Sequence, residues 1–232
     1  MLLPKKIEIT KVPPIKIQGI KTKLVPFIAQ SIMWDGKGTY FEPFKGSGVV
    51  GFNLEPQKAI FSDTNPYLIQ FYKDIQSGKI TPSIVREYLE KEAIKLAQTP
   101  EDKTSYYYEV RERFNLYHSS LDFLFLQRSN FNGMIRFNRK GYYNVPFGRK
   151  PERFQKALIT KIVNQVAWVS TIMEDKDWQF IFMPFTEAFK MMKKNDFDYL
   201  DPPYIDRYDG YYDSWSQDLA DLLVSLTENG DA

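Results

Sequence analysis

The four residues Asp201-Pro202-Pro203-Tyr204 place a carboxylate, two rigid backbone units and a phenol ring side by side. Proline fixes its φ angle and has no N–H group, so the carbonyl groups here are held rigidly and stay available as acceptors. Such acceptors can bind the hydrogens of an exocyclic NH2 group while the phenol stacks on its ring. The motif therefore predicts a site that aims an amine nitrogen at an electrophile. The alternative is a Pro-Pro turn that caps a strand.

A second motif, EPFKGSG at residues 42–48, has two glycines that let the backbone turn sharply and approach a ligand closely. Fifteen residues beyond Gly48, Asp63 ends the next predicted strand, where an acid can accept both hydroxyl groups of a ribose. Two plainer interpretations stay open: an ordinary turn for the glycines, and an Asx-type cap with Asn65 for Asp63. The loop has no third glycine at the dinucleotide spacing and no P-loop lysine, which favours a nucleoside-type cofactor.

Composition excludes several other chemistries. The 232 residues include 31 Lys and Arg, 29 Asp and Glu, one histidine and no cysteine. Zinc fingers, disulfide scaffolds and cysteine nucleophiles need thiols, and a histidine-built metal site needs more than one imidazole. We therefore expect no metal. The start, MLLPKKIEITKVPPIK, lacks the apolar core of a secretory signal, and no apolar run approaches the ~18 residues of a membrane span. We expect a cytoplasmic protein.

Positive charge is concentrated in two segments. Residues 136–156 hold seven Lys and Arg, one acid and five aromatic residues, and the first thirty residues hold six Lys and one Glu. Clustered cations interleaved with aromatic rings suit a phosphate backbone and exposed base faces. A solvated basic loop is the alternative interpretation.

Helix and strand signals indicate how these residues are positioned. Asn65-Pro66 and Thr81-Pro82 each combine an N-cap residue with a proline, which predicts that helices begin there. In the second of these helices, Ile84, Tyr88 and Leu89 share one face. Strands are predicted at residues 38–44, 59–62, 178–182 and 197–200.

The alternation of strands with helices predicts a parallel sheet covered by helices, with ligands at the carboxyl ends of the strands. The section of roughly 90 residues after the second strand breaks this alternation and is predicted to be an inserted module. It contains further helices and a hairpin, MIRFN and YYNVPF, whose turn is Arg139-Lys140-Gly141.

EPFKGSG together with DPPY resembles the Dam-class (D12) DNA adenine-N6 methyltransferases, and the resemblance runs over residues 16–226. The longer segments RSNFNGMIRFN, GYYNVPFG and YYYEVRERFN are especially similar to modification methylases of the EcoRV type. The resemblance implies an α/β fold: a Rossmann-like S-adenosylmethionine-dependent methyltransferase sheet with an inserted helical and β-hairpin DNA-recognition module. It divides the chain into a first catalytic part (1–66), the recognition module (67–156) and a second catalytic part (157–232).

The resemblance also implies a role for each matching residue. Those implied to bind S-adenosylmethionine are Ile17, Lys21, Glu42, Pro43, Phe44, Gly46, Gly48, Asp63 and Asp201. Those implied to hold the target adenine are Asp201, Pro202, Pro203 and Tyr204. Those implied to contact DNA are Lys16, Phe131, Asn132, Met134, Arg136, Arg139, Lys140 and Arg149. The family often has an aromatic residue where this chain has Ile17.

Within these sets, residues 42–48 are implied to cradle the methionine part of the cofactor and Asp63 to take its ribose. Lys16 and Arg136 are implied to contact guanines, and Asn132 to help replace the flipped base. Aromatic residues after DPPY lie in a loop that could close on the target, with no individual roles assigned: Tyr208, Tyr211, Tyr212 and Trp215.

The implied reaction is direct methyl transfer to an adenine flipped out of double-stranded DNA, without a covalent enzyme intermediate or a metal. The implied partners are double-stranded DNA and a restriction endonuclease that acts on the same site without necessarily binding this chain. By resemblance alone, the site is GATATC. We expect a monomer with no membrane partner.

Three alternatives share part of this pattern. An RNA or cytosine-N4 methyltransferase would use the same chemistry, although Asp201 favours adenine and RSNFNGMIRFN favours DNA. Protein glutamine methyltransferases typically open the motif with Asn and lack the hairpin. Because the family sheet continues beyond the last predicted helix, C-terminal strands are expected to be missing. A weakly active or inactive DNA-binding fragment is therefore the third alternative.

Overall fold

The computed structural model describes residues 3–204 and 215–229. Its elements in chain order are α1 (Val25–Ser31), β1 (Tyr40–Glu42), α2 (Val49–Leu54), β2 (Lys58–Asp63), α3 (Pro66–Gln76), α4 (Pro82–Ala97), α5 (Tyr106–Tyr117), α6 (Ser120–Ser129), a 3-10 helix (Pro151–Phe154), α7 (Lys156–Met173), β3 (Asp177–Phe182), α8 (Phe185–Phe189), β4 (Phe197–Asp198) and α9 (Gln217–Asn229). Within these described ranges, no helix is both long enough and apolar enough to cross a membrane.

The four strands of the described residues form one parallel sheet in the order β3-β2-β1-β4. Phe41 of β1 is paired with Ile60 of β2 on one side and with Asp198 of β4 on the other. This is the strand order of Rossmann-like sheets, in which the order reverses between β1 and β4 and leaves a crevice at their carboxyl ends. The predicted parallel α/β sheet is confirmed.

Buried aromatic side chains fill the space between the sheet and helices α2 and α3. The rings of Phe52 and Trp178 stack with centroids 5.5 Å apart, and those of Phe61 and Phe180 stack at 5.3 Å. Tyr72 of α3 meets Phe52 edge-on at 5.2 Å. Each ring buries on the order of 150–250 Å², so this cluster fixes the position of α2 and of the loop that precedes it.

Both predicted helix starts are confirmed. The Asn65 side chain accepts hydrogen bonds from two N–H groups of the first turn of α3, and Thr81 caps α4 in the same way with one. The predicted buried face of α4 is partly wrong, because Ile84 is 38% exposed whereas Val85 and Leu89 are fully buried. Since α4 packs against α7, its buried face is the one that turns toward that helix.

A buried ionic network joins three helices of the segment between β2 and β3. Arg113 of α5 lies 3.0 Å from a Glu92 oxygen on α4 and 2.5 Å from an Asp122 oxygen on α6. Tyr88 donates a further hydrogen bond to Asp122. Because buried carboxylates are costly unless they are paired, the network fixes α4, α5 and α6 relative to one another.

The predicted hairpin is present as paired backbone, but its arms are joined by isolated bridges rather than by two regular strands. Phe137 pairs antiparallel with Tyr143 beside the turn. The Gly141 N–H donates to the Asn138 carbonyl at 2.8 Å and closes the turn at the predicted residues 139–141. Side-chain contacts, described below, hold much of the remainder of the hairpin.

Candidate active site and nucleic-acid interface

A cavity of about 750 Å³ opens at the carboxyl ends of β1 and β4, where the strand order reverses. This volume is within the ~300–1,000 Å³ of typical small-molecule sites. The predicted site residues that line it are Ile17, Lys21, Glu42, Pro43, Phe44, Gly46, Asp63, Met134, Asp201, Pro202, Pro203 and Tyr204. The fold therefore brings the two motifs, which lie far apart in the chain, to one space.

Glu42 ends β1 and joins the cavity wall to helix α2. Its side chain is buried, and its Oε2 accepts hydrogen bonds from the Gly51 N–H at 3.0 Å and the Tyr40 hydroxyl at 3.1 Å. Burial raises the pKa of Glu42 to about 8, against the opposing effect of the positive charge on Lys45. A side chain at Gly51 would collide with the Glu42 carboxylate, since its Cβ would lie 2.5 Å from Oε2.

The two glycines of the loop differ in their surroundings. Gly46 lines the cavity with a φ of +49°, and its N–H donates to Asp63 Oδ2 at 2.9 Å. Gly48 is not among the residues that line the cavity. It precedes α2 with a φ of +73°, and a Cβ there would lie 2.9 Å from the Phe52 ring. Gly48 therefore contributes to the turn that leads into α2 rather than to the wall of the cavity.

Asp63 ends β2, where it takes part in a local turn and also lines the cavity. Its Oδ1 accepts a hydrogen bond from the Asn65 N–H at 2.9 Å, as an Asx-type turn requires. The same side chain lines the cavity. Partial burial raises the pKa of Asp63, although hydrogen bonds from Gly46 and Asn65 oppose this. Each carboxylate oxygen has a second lone pair, so the turn and a ligand contact are compatible.

Lys45 is a cavity residue within the predicted loop 42–48 to which the sequence analysis gave no individual role. It is only 2% exposed, and its Nζ lies 3.4 Å from the centroid of Tyr72, 4.7 Å from that of Phe52 and 5.7 Å from that of Phe180. Burial lowers its pKa to about 7, while the carboxylates of Glu42 and Asp63 oppose this shift. The three rings come from α2, α3 and β3, so no local sequence signal marks the cage.

Asp201 follows β4 and forms an ion pair across the cavity. Its Oδ2 lies 2.7 Å from Lys21 Nζ, and the two side chains are 26% and 17% exposed. The ammonium also lies 5.2 Å from the centroid of the Tyr204 ring. Burial alone lowers the pKa of Lys21, but hydrogen bonds with Asp201 and Tyr204 hold it above its ordinary value. Lys21, implied by resemblance to bind the cofactor, thus contacts the acid implied to hold adenine.

Trp215 closes one side of the cavity. Its ring centroid lies 5.4 Å from that of Phe44 and 5.7 Å from that of Phe185. The other three aromatic residues predicted to lie in a closing loop, Tyr208, Tyr211 and Tyr212, are outside the described residues. Cavity residues that the sequence analysis did not identify include Thr64, Tyr199 and Phe185.

The tip of the segment implied to enter DNA lies at the rim of this cavity. Phe131 is 50% exposed, and Asn132 is exposed with a φ of +55°. Two residues further on, Met134 lines the cavity. The Lys16 stem packs over the tip, with its Cδ 3.2 Å from the position of a Cβ on Gly133. The structure therefore brings Lys16, Phe131, Asn132 and Met134 together.

Buried polar side chains hold this tip in place. The Met134 carbonyl accepts hydrogen bonds from Asn130 Nδ2 at 2.6 Å, Gln127 Nε2 at 3.2 Å and the Tyr143 hydroxyl at 3.3 Å. All three donors belong to buried residues. Such a network restrains the backbone between Asn130 and Met134 while leaving Phe131 exposed.

Arg136 is fixed across the hairpin. Its Nε donates to Asn144 Oδ1 at 2.7 Å, and its Nη2 donates to the Asn144 carbonyl at 3.0 Å. The remaining residues implied to contact DNA, Arg139, Lys140 and Arg149, are exposed and do not line the cavity.

Residues 18–225 match the family described as D12 class N6 adenine-specific DNA methyltransferase. The chain belongs to this family and is an adenine-specific DNA methyltransferase. The predicted class is thereby confirmed, and the RNA, cytosine-N4 and glutamine methyltransferase alternatives fall outside the family. The narrower resemblance to the EcoRV type stays a prediction.

Individual relatives agree with this family. The chain is 31% identical over 215 residues to Type II methyltransferase M1.LlaDCHI of Lactococcus lactis subsp. cremoris, covering 88% of this chain and 70% of the relative. It is 29% identical over 209 residues to Type II methyltransferase M.MjaIII of Methanocaldococcus jannaschii, covering 83% and 68%. It is also 29% identical over 196 residues to the retron Ec67 DNA adenine methylase of Escherichia coli, covering 81% and 62%.

Proposed function

We propose that this chain transfers the methyl group of S-adenosylmethionine to N6 of an adenine at a specific site in double-stranded DNA. The observation that carries the proposal is the single cavity in which Glu42, Asp63 and Asp201 meet at the carboxyl ends of the strands. The Type II names of two relatives support a further step, namely that the chain is the modification component of a restriction-modification system.

The cavity fits a cofactor that is cationic, carries hydroxyl groups and has an apolar ring. Glu42 and Asp63 supply carboxyl groups, and Ile17, Phe44 and Phe185 supply an apolar wall. We assign the loop at residues 42–48 to the methionine part and Asp63 to the ribose. S-adenosylmethionine, when bound, would supply a methyl carbon made electrophilic by its positively charged sulfur, which would leave as a neutral thioether.

Asp201 and Pro202 are the groups proposed to hold the adenine amine. The N6 lone pair is delocalised into the purine ring, which makes the nitrogen a poor nucleophile. Hydrogen bonds from the N6 hydrogens to the Asp201 carboxylate and the Pro202 carbonyl favour a more tetrahedral nitrogen with a freer lone pair. Acceptors fixed where positive charge develops contribute about 3–4 kcal/mol each. Pro203 keeps the backbone rigid, and Tyr204 stacks on the base.

Lys21 is proposed to hold the Asp201 carboxylate in position for the adenine amine. The ion pair at 2.7 Å uses Oδ2, and a carboxylate has a second oxygen that can accept from the amine. Since the hydrogen bonds with Asp201 and Tyr204 raise the pKa of Lys21, its ammonium is protonated at neutral pH. Asp201 is therefore positioned before the base arrives.

The hairpin is proposed to open the duplex beside the cavity. An adenine inside a duplex is out of reach and must be flipped out, at a cost of a few kcal/mol. The exposed Phe131 and Asn132 lie three and two residues, respectively, before Met134 in the cavity wall and can fill the space that the base leaves. We assign residues 67–156 to DNA recognition, with Arg139, Lys140 and Arg149 on phosphates. We assign residues 1–66 and 157–232 to catalysis.

We further propose that the chain acts as a monomer in the cytoplasm. Its proposed partner endonuclease shares the DNA site without a required contact. These assignments rest on the proposed substrate, which is cellular DNA.

The test compares the wild-type chain with Asp201→Ala on duplexes containing GATATC. Methyl transfer from labelled S-adenosylmethionine is measured together with cofactor affinity by calorimetry. We expect the methylation rate to fall about 10²–10³-fold or more, with cofactor affinity retained within a few-fold. Asp177→Ala is the control, because Asp177 begins β3 at the opposite edge of the sheet.

Two results would contradict the proposal. Equal loss of methyl transfer and cofactor affinity in Asp201→Ala would place Asp201 in the cofactor site rather than on the base. A wild-type chain that binds DNA and cofactor without forming N6-methyladenine would be the inactive DNA-binding protein of the alternative interpretation.

A further inference from the structure

A second, smaller cavity is lined by four cations from four different parts of the chain. Its volume is about 160 Å³, and its polar wall consists of Lys16, Arg128, Arg153 and Lys161. We call these four residues the cationic cluster. Lys16 belongs to the N-terminal segment, Arg128 to α6, Arg153 to the 3-10 helix and Lys161 to α7. None of the four lines the larger cavity.

The cluster has no compensating acid in the described part of the chain. The ion pairs recorded over residues 3–204 and 215–229 include none of its four members. Instead, Arg128 donates to Gln165, and Arg153 Nη1 donates to the Asn130 carbonyl at 2.7 Å. Arg128 Nε is buried with no hydrogen-bond partner.

The cations of the cluster repel one another, and this repulsion lowers the pKa of Lys16. Burial lowers the pKa of Lys16, and the positive charges of Arg153, Arg128 and Lys150 lower it further. Burial also lowers the pKa of Arg128 to about 10. An arrangement in which cations destabilise one another is relieved by a bound anion, because the anion supplies the missing opposite charge.

The donor set selects the kind of anion. Guanidinium groups present planar pairs of N–H donors that match phosphate oxygens, and ammonium groups add point charges. A space of about 160 Å³ is below the ~300 Å³ of typical organic ligand sites. Both features favour a single phosphate group.

The position of the cluster indicates which molecule carries that phosphate group. The Lys16 stem packs over Gly133, and Arg153 holds the carbonyl of Asn130. These contacts lie on either side of Phe131 and Asn132, the exposed tip proposed to enter the duplex. We propose that the cationic cluster binds one phosphate of the DNA backbone beside the flipped adenine and so sets the position of the duplex. This inference rests on the proposed function.

The test removes one charge from the cluster and one from elsewhere. Lys161→Gln changes an exposed cation of the cluster. Its control is Lys194→Gln. Lys194 is an exposed cation that precedes β4, so it lies toward the amino ends of the strands, whereas the ligand site lies at their carboxyl ends. Affinity is measured over a KCl series for a GATATC duplex and for a duplex of unrelated sequence.

We expect Lys161→Gln to weaken both duplexes by the same factor. The slope of log affinity against log KCl concentration should become shallower by about 0.9, the value for one phosphate contact. Lys194→Gln should change neither quantity. Arg153→Gln should behave as Lys161→Gln does, and Arg153→Lys, which keeps the charge, should recover most of the salt slope.

Three results would overturn the inference: an unchanged salt slope in Lys161→Gln, a loss confined to the GATATC duplex, or an equal loss in the control. A separate titration with inorganic phosphate tests whether the cluster binds a free anion. If phosphate binds the wild-type protein tightly and DNA does not displace it, the cluster serves a free anion instead. Cofactor binding and methyl transfer, measured on the same preparations, report separately on the proposed function.

Discussion

The buried carboxylate of Glu42 makes the stability of the protein depend on pH in a way that Glu42→Gln should remove. Glu42 is 2% exposed, and burial raises its pKa from an ordinary 4.5 to about 8. In the unfolded chain it ionises near its ordinary value, whereas in the folded protein it stays protonated well above it. The stability associated with Glu42 is therefore complete below about pH 4.5 and is lost as pH rises through about 8.

The magnitude follows from the difference in bound protons. Between the two pKa values the folded protein holds one more proton than the unfolded chain, so the free energy of unfolding falls by about 1.4 kcal/mol per pH unit. Lys45 complicates the range near its own pKa of about 7. From about pH 5 to 6.5, Lys45 contributes equally to the stability of wild type and of Glu42→Gln, because Gln and protonated Glu are both neutral neighbours. Over that window Glu42→Gln should gain about 2 kcal/mol relative to wild type.

The assay is urea unfolding of both proteins, followed by tryptophan fluorescence at several pH values across this window. The same change at Glu101, which is exposed, is the matched control. If the difference between wild type and Glu42→Gln were independent of pH, Glu42 would already be ionised in the folded protein. The reasoning from burial would then be refuted.

Two further predictions concern the catalytic pair and DNA reading. Lys21→Met removes the cation from Asp201. Because hydrogen bonds between charged groups are worth about 1.5–3 kcal/mol, the single-turnover methylation rate should fall about 10–100-fold, and less in Lys21→Arg. A change in KM alone would contradict this role. Arg136→Ala should relax the choice of one guanine by about 1–3 kcal/mol while non-specific DNA affinity stays, as competition binding can show. A uniform loss over all sequences would make Arg136 a phosphate contact.

Local features of the fold could be predicted from the sequence because short-range chemistry determines them. Asn65-Pro66 and Thr81-Pro82 cap their helices as expected, and the acids Glu42 and Asp63 end their strands. The hairpin turn at residues 139–141 also has a local cause, since glycine supplies the positive φ there. In each case the deciding residues are neighbours in the chain.

The contacts that could not be predicted join residues that only the topology brings together. Lys21 reaches Asp201 because the fold brings the N-terminal segment close to the residues that follow β4. Lys45 enters a cage whose nearest ring, that of Tyr72, belongs to α3. The exposed position of Ile84 has the same origin, since the neighbour against which α4 packs decides which face is buried.

The distribution of charge differs between the two proposed ligand regions. A formal net charge of +2 describes neither ligand region, because screening limits electrostatic effects to roughly 10 Å at moderate salt. The larger cavity, where the proposed cofactor binds, combines the acids Asp63 and Asp201 with the cations Lys21 and Lys45. Glu42 adds a carboxyl group that is held mostly protonated at neutral pH. A DNA phosphate meets the cationic cluster, which has no acid of its own in the described chain. Local charge therefore favours an anion at the cationic cluster, whereas the larger cavity offers both signs of charge to its ligand.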